Sequence, residues 1–194
     1  WSSDVCSSDL PSELIFTSGG TESDHIPLLS MLARQNRDRA RILISAIEHP
    51  ALREQAALLS RIGFHVDTVA PDKEGFIRPE AVTAALTGDT VFVAVMAVNN
   101  ETGCIQPIYQ IADAVSAATA GKRRPHFHVD CVQAAGKIPL DLRHPGIDSA
   151  AFSAPKTQDG QIDAAFIVAI QNRVYDIHDV DAILRENDLP PFLT

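Results

Sequence analysis

Short apolar runs alternate with longer amphipathic stretches along the chain, and this alternation constrains the fold most. The run TVFVAVMAV, residues 90–98, has almost no polar side chain and predicts a strand buried on both faces. The stretches at residues 21–35 and 50–64 predict helices, the second ending near Gly63. Such alternation indicates an α/β fold of three layers, with a mostly parallel sheet flanked by helices.

Composition and charge exclude several classes of protein. The formal net charge of −9 argues against direct nucleic-acid binding and against binding to an anionic membrane surface. No apolar run reaches the roughly 18 residues that a membrane span requires. The three cysteines, Cys6, Cys104 and Cys131, have no metal-ligand spacing, and their odd number argues against a disulfide framework. We therefore expect a cytoplasmic protein without a metal site.

Polar residues follow each predicted strand, which is where parallel α/β folds bind their ligands. The segments concerned are TSGGTES (17–23), AIEHP (46–50), VNNETG (98–103), VDCVQ (129–133) and SAPK (153–156).

The first of these segments suits an anion. Gly19 and Gly20 let the backbone approach a phosphate, the next helix offers free N–H groups, and Thr21 and Ser23 add hydroxyls. The alternative is a glycine-rich turn in which Thr21 only caps the helix.

Two ionisable residues end later strands. Asp130 could pair with a protonated pyridine nitrogen, or it could cap a helix that begins after it. Lys156 could be a desolvated Schiff-base nucleophile, or an ordinary surface lysine.

Three more residues complete the candidate set. His49 could stack on a flat ring or move a proton, or it could cap the following helix. Asn100 and Gln133 could bind a phenolic oxygen, or serve turns and caps. Together, an anion pocket, a carboxylate, a lysine, polar donors and a planar residue are what a pyridoxal phosphate site requires.

Five ordered segments resemble the cysteine desulfurases of the NifS/IscS class, within the class-V aminotransferase group of fold-type I pyridoxal phosphate enzymes. They are LIFTSGGTES, SAIEHPA, VNNETG, FHVDCVQAAGKIPLDL and GIDSAAFSAPK, and they run from about Glu13 to Lys156.

The resemblance implies a role for each matching residue. Gly20, Thr21 and Ser153 would bind the cofactor phosphate, and Asp130 would pair with the ring nitrogen. The remaining roles are ring stacking and proton transfer by His49, contact with the ring hydroxyl by Asn100 and Gln133, and covalent attachment of the cofactor by Lys156.

The resemblance also implies an activity and partners. Such enzymes take sulfur from L-cysteine, leave alanine, and pass the sulfur to an iron–sulfur scaffold or another acceptor for cluster assembly or tRNA thiolation. They are homodimers. The alternatives are a selenocysteine lyase or aminotransferase of the same fold, and a non-catalytic chimeric fragment.

The sequence departs from the family in several places. Asp24 and His25 stand where the family usually has two asparagines, and Pro155 replaces a histidine that helps to hold the phosphate. Residues 1–10 match a translated sequencing adapter, and we interpret them as a non-native segment.

The family pattern ends at Lys156. We therefore assign residues 11–156 to part of the cofactor-binding large domain and residues 157–194 to a tail that does not match the family, although IDAAFIVAI (162–170) could be a strand. Without the family's persulfide cysteine loop we expect no turnover. Cys104 and Cys131 lie within matched motifs, where we expect small buried residues.

Overall fold

The computed structural model describes residues 14–33, 38–135, 137–153 and 165–169. Its strands are β1 (Leu14–Thr17), β2 (Arg41–Ser45), β3 (His65–Val69), β4 (Thr90–Ala94), β5 (His126–Asp130), β6 (Ser149–Ser153) and β7 (Ala165–Ala169). Its α-helices are α1 (Gly20–Leu29), α2 (Pro50–Arg61), α3 (Pro79–Ala85) and α4 (Ile108–Ala118).

All seven strands form one sheet in the order β1-β7-β6-β5-β4-β2-β3. Neighbouring strands from β3 across to β6 pair in parallel, whereas β7 is antiparallel to both β6 and β1. The predicted mostly parallel sheet is therefore confirmed. The predicted strand within residues 162–170 is also confirmed, and it lies inside the sheet between β1 and β6.

Successive residues of the central strands point to opposite faces, and each face carries its own core. Phe92 and Ala94 of β4 pack with Leu28, Leu52 and other residues of α1 and α2 on one face. Val93 of β4 packs with residues of α3 and α4 on the other face. This arrangement gives the three layers predicted from the sequence, and it explains why β4 is apolar after Thr90.

The helix predicted over residues 21–35 ends earlier than expected. Its α-helical part stops at Leu29 and a short 3-10 turn, Ser30–Ala33, follows it. The Ser30 hydroxyl donates to the Pro27 carbonyl at 2.7 Å, and such local side-chain bonds compete with the helical pattern. The end predicted near Gly63 is confirmed, because α2 stops at Arg61 and Gly63 has a φ of 106°.

The apolar run that contains β4 continues beyond the strand toward the polar loop that follows it. The N–H groups of Val95 and Ala97 donate to the carbonyls of His128 and Asp130, at 3.2 and 2.8 Å. This extension brings Met96 beside the end of β5. None of the helices within the described ranges combines the length and the apolar character that crossing a membrane would need.

Candidate functional site

A cleft of about 220 Å³ opens where β1, β2, β4 and β5 end, at the carboxyl edge of the sheet. It is lined by Gly20, Thr21, Asp24, His49, Met96, Asn100, Asp130, Val132 and Gln133. Six of the residues selected from the sequence therefore meet in one place, although they come from four separate segments of the chain.

Four of the residues selected from the sequence are not part of this described lining. Gly19 is the N-cap residue of α1, and Ser23 is fully buried with its hydroxyl 2.7 Å from that of Thr17. Ser153 is the last residue of β6, the strand next to β5, and only its backbone is described. Lys156 lies outside the described residues. The convergence of Ser153 and Lys156 on the cleft stays a prediction.

The start of α1 forms one side of the cleft, and no side chain caps it. Gly19 occupies the N-cap position, so the alternative in which Thr21 caps the helix is wrong. Thr21 is exposed beside the cleft. The turn before the helix is held by the Thr17 hydroxyl, which lies 2.7 Å from that of Ser23. An uncapped helix start of this kind leaves backbone N–H groups for an anion.

His49 lies between β2 and α2, where it both caps the helix and lines the cleft. It is the N-cap residue of α2, and its Nδ1 atom accepts from the Ala51 N–H at 3.2 Å. The capping alternative is therefore confirmed. The same bond fixes the imidazole ring in the lining of the cleft, so capping and ligand contact are compatible.

Asp130 ends β5 and is only 5% exposed. Its Oδ1 atom accepts from the Val132 N–H at 2.8 Å, but the following residues form turns and not the helix that the capping alternative required. Burial, and then the nearby charge of Asp24, raise the pKa of Asp130 to about 7. A cation that entered the cleft would favour its ionised form.

The two polar loop residues differ in their surroundings. Asn100 is exposed at the cleft, and the turn chemistry expected there belongs to Asn99, whose Oδ1 atom accepts from the Thr102 N–H at 2.9 Å. The Gln133 Oε1 atom accepts from Lys137 Nζ at 2.8 Å, which leaves its amide N–H groups as donors.

Sequence reasoning missed Asp24 as a cleft residue. It is 2% exposed on α1, and its Oδ1 atom lies 3.3 Å from Nε2 of the fully buried His128. Burial raises the pKa of Asp24 to about 8 and lowers that of His128 to about 4. The sequence held one signal for this contact. Polar and apolar residues alternate in HFHVD (126–130), which predicts that His128, the partner of Asp24, lies on the same face of the strand as Asp130.

Glu48 was also missed, although it precedes His49. It is buried; its Oε1 atom accepts from the Met96 N–H at 2.8 Å and from the Ser45 hydroxyl. Within the described ranges its Oε2 atom has no hydrogen-bond partner. Burial is the main cause that raises the pKa of Glu48 to about 8. The neutral form of this acid fits its buried position.

The cysteines of the matched motifs differ in exposure. Cys131 is fully buried, as expected, and burial raises the pKa of its thiol. Cys104 is only half-buried, so the expectation of a buried residue there is wrong. Both thiols are free. Among the residues whose structure is described, no three His, Cys, Asp or Glu side chains are grouped to hold a metal ion.

Comparison with known proteins gives the family of the chain and its fold. The family model described as Aminotransferase class-V matches residues 4–159. The chain belongs to the class-V aminotransferase family. The members of this family and the desulfurases related to this chain are pyridoxal phosphate enzymes.

Similar proteins include two named cysteine desulfurase IscS. The one from Pseudomonas entomophila is 37% identical over 164 residues, which are 84% of this chain and 39% of that protein. The one from Dictyoglomus turgidum is 35% identical over 144 residues, which are 74% of this chain and 35% of that protein. The chain thus spans about two fifths of the length of these relatives.

Solved structures of similar proteins show the same fold. DndA from Streptomyces lividans has a TM-score of 0.72 at 37% identity, over 95% of this chain and 46% of that one. A NifS-like protein has a TM-score of 0.75 at 33% identity, over 85% of this chain and 44% of that one.

Proposed function

We propose that the chain is part of the large domain of a pyridoxal phosphate-dependent cysteine desulfurase. The observation that carries this proposal is the convergence of Gly20, Thr21, His49, Asn100, Asp130 and Gln133 on one cleft. The proposal also rests on the similarity to proteins named cysteine desulfurase IscS.

The residues present fit this cofactor. The uncapped start of α1 suits its phosphate, and a buried acid at the end of β5 suits its ring nitrogen. Within the described part of the chain, no lysine or arginine forms an ion pair with Asp130. A carboxylate buried without a cation is the group that a protonated ring nitrogen would stabilise.

Each residue then has a definite task. The backbone of Gly20 and the Thr21 hydroxyl would bind the phosphate, and Ser153 would join them. Asp130 would orient the ring by its nitrogen and keep that nitrogen protonated, and His49, whose imidazole is fixed by its N-cap bond, would stack on the ring.

The other side chains bind and move protons. Asn100 and Gln133 would donate to the ring hydroxyl, and Lys156 would hold the cofactor and move the proton of the substrate Cα. When bound, pyridoxal phosphate supplies an electron sink for that carbon.

The substrate in this proposal is L-cysteine, and the sulfur passes to an iron–sulfur scaffold or another acceptor protein. The complete enzyme acts as a homodimer in the cytoplasm. The free thiols of Cys104 and Cys131 are consistent with a reducing compartment.

Cofactor titration tests the proposal. Pyridoxal phosphate added to the purified chain should produce a saturable absorbance band at the violet edge of the visible spectrum. Asp130→Asn should weaken the affinity about tenfold or more, because a buried charge-assisted bond contributes about 1.5–3 kcal/mol. Asp113→Asn, which removes an exposed carboxylate on α4, is the matched control. Equal affinities of the two variants would contradict the proposal.

A further inference from the structure

His128 lies on the strand that ends in Asp130, yet it contacts the helix that forms one side of the cleft. Its side chain is completely buried on β5, and its Nε2 atom lies 3.3 Å from Oδ1 of Asp24 on α1. Its other ring nitrogen, Nδ1, lies 2.8 Å from the Ser149 hydroxyl on β6. A neutral imidazole has one N–H donor and one acceptor, so it can satisfy both contacts at once.

The groups around the His128 ring hold it in place. The ring of Phe92 stacks on it, with the two centroids 6.1 Å apart. The Ser149 hydroxyl is itself anchored, because it lies 2.7 Å from Nε2 of His126 in addition to its contact with His128. A buried ring with partners on both nitrogens loses hydrogen bonds when it turns, so His128 keeps one orientation.

The contact between Asp24 and His128 lies close to both ends of the cleft. Gly20 and Thr21 precede Asp24 by about one turn of α1, and residues one turn apart share a helix face. Asp130 follows His128 by two residues on β5, so their side chains lie on the same face of the sheet. Regular backbone therefore connects the contact to the uncapped helix start on one side and to the buried carboxyl on the other.

We propose that His128 is a positioning residue that fixes the distance between the two ends of the cleft. The start of α1 suits the anionic end of a ligand, and the Asp130 carboxyl suits a cationic end. With that distance fixed, the cleft selects ligands that carry both charges on one rigid ring. The selection of pyridoxal phosphate rests on the proposed function, whereas the positioning of α1 against β5 does not.

The physical reason is preorganisation. A rigid ligand that binds both ends reaches its full affinity only if the two ends already lie at the required distance. If the contact is lost, α1 can shift against β5, and each binding event must restore the distance. The affinity for a ligand that spans both ends should then fall, whereas the affinity for a ligand that binds one end should change little.

Two amide substitutions at His128 separate its two contacts. In His128→Gln the amide nitrogen can replace Nε2 and keep the bond to Asp24, whereas in His128→Asn it can replace only Nδ1. Absorbance titration gives the affinities for pyridoxal phosphate, which spans both ends, and for pyridoxal, which has no phosphate. The ratio of these affinities should fall by about 2- to 10-fold in His128→Asn and stay at the parent value in His128→Gln. A ratio that changes equally in both variants, or in neither, would overturn the inference.

Thr90→Val is the control for a general loss of stability. It removes a buried hydroxyl that accepts from the Thr87 N–H at the start of β4, at the opposite edge of the sheet from the cleft. This variant should unfold more easily than the parent protein and keep the parent ratio. A lower ratio in Thr90→Val would show that the ratio follows stability and not the distance across the cleft, which would contradict the proposal.

Ser149→Ala provides the same test if His128→Asn does not fold. It removes the hydroxyl that holds Nδ1, so the imidazole can turn away from Asp24. The ratio of affinities should again be lower than in the parent protein. An unchanged ratio in Ser149→Ala would count against a positioning role.

Hydrogen exchange without any ligand tests the positioning of α1 directly. The Ser23 N–H donates to the Gly19 carbonyl at 3.0 Å in the first turn of α1, so its exchange rate reports how firmly that turn is held. Exchange should be faster in His128→Asn than in His128→Gln and the parent protein. Equal rates in all three would overturn the inference. If the rates differ as expected but the parent protein does not bind pyridoxal phosphate, the proposed function fails and the positioning role stands.

Discussion

His128 on β5 and Asp24 on α1 meet behind the cleft, with Nε2 of the imidazole 3.3 Å from Oδ1 of the carboxyl. The two residues are 104 positions apart in sequence, and both are almost completely buried. Their contact connects α1, which begins beside the cleft at Gly20, to the strand that ends in Asp130.

The raised pKa of Asp24 makes the stability of the protein depend on pH. Between the ordinary pKa of 3.8 and the folded value of about 8, the folded state holds a proton that the unfolded chain has lost. The contribution of Asp24 to stability is therefore most favourable below this window and falls as the pH rises through it. Asp24→Asn should make this fall shallower, by an amount on the order of a few kcal/mol, in urea unfolding at several pH values. A variant with the same pH dependence as the parent protein would argue against a buried, protonated Asp24.

Gly146 is packed too closely for any larger residue. A Cβ atom built there would lie 2.8 Å from the Cβ atom of Ala112 on α4. Gly146→Ala should lower the free energy of unfolding by about 1–3 kcal/mol, the usual effect of overpacking. Gly88→Ala is the control, because a Cβ atom there would meet nothing within 4 Å. Equal unfolding midpoints in urea would show that α4 packs differently against this loop.

Substitution of Thr21 should weaken the binding of the cofactor phosphate and leave the binding of the pyridine ring unchanged. Thr21→Val keeps the shape of the side chain but removes its hydroxyl, so the affinity for pyridoxal phosphate should fall by about 2- to 10-fold. The affinity for pyridoxal, which has no phosphate, should not change. Both affinities can be measured by absorbance titration, with Thr83→Val on the exposed surface of α3 as the control. A parallel loss for both ligands would mean that Thr21 does not contact the phosphate.

The two described cysteines should differ in reactivity. Cys104 is half-buried, whereas Cys131 is fully buried and its thiol has a raised pKa. Iodoacetamide should therefore label Cys104 in the folded protein and Cys131 only after unfolding, since the thiolate is the reactive form. Peptide mass spectrometry separates the two sites. Rapid labelling of Cys131 in the native protein would show that β5 opens readily.

The sequence was sufficient to predict a mostly parallel sheet and six residues of the cleft lining, because both predictions depend on local patterns. The apolar run at residues 90–98 predicted a buried strand, and polar residues after strands marked the lining. Asp24 and Glu48 were not recognised, since nothing local distinguishes an acid on a helix or beside a histidine from a solvated one. Their burial depends on how α1 packs on the sheet and on where Met96 places its N–H group.

Local sequence patterns also failed to predict where the first helix ends. The helix predicted to reach residue 35 stops at Leu29 and continues as a 3-10 turn, where the Ser30 hydroxyl donates to the Pro27 carbonyl. The strand β7 was predicted from its apolar composition, but its antiparallel position between β1 and β6 comes from pairing across the sheet.

Chemical trapping tests the central claim, that this cleft is a pyridoxal phosphate site, most directly. The chain is incubated with pyridoxal phosphate, reduced with borohydride and digested, and the modified peptide is identified by mass spectrometry. We expect a single phosphopyridoxyl group on Lys156, with much weaker labelling in Asp130→Asn. Labelling spread over exposed lysines such as Lys122, or unaffected by loss of the Asp130 carboxylate, would contradict the account.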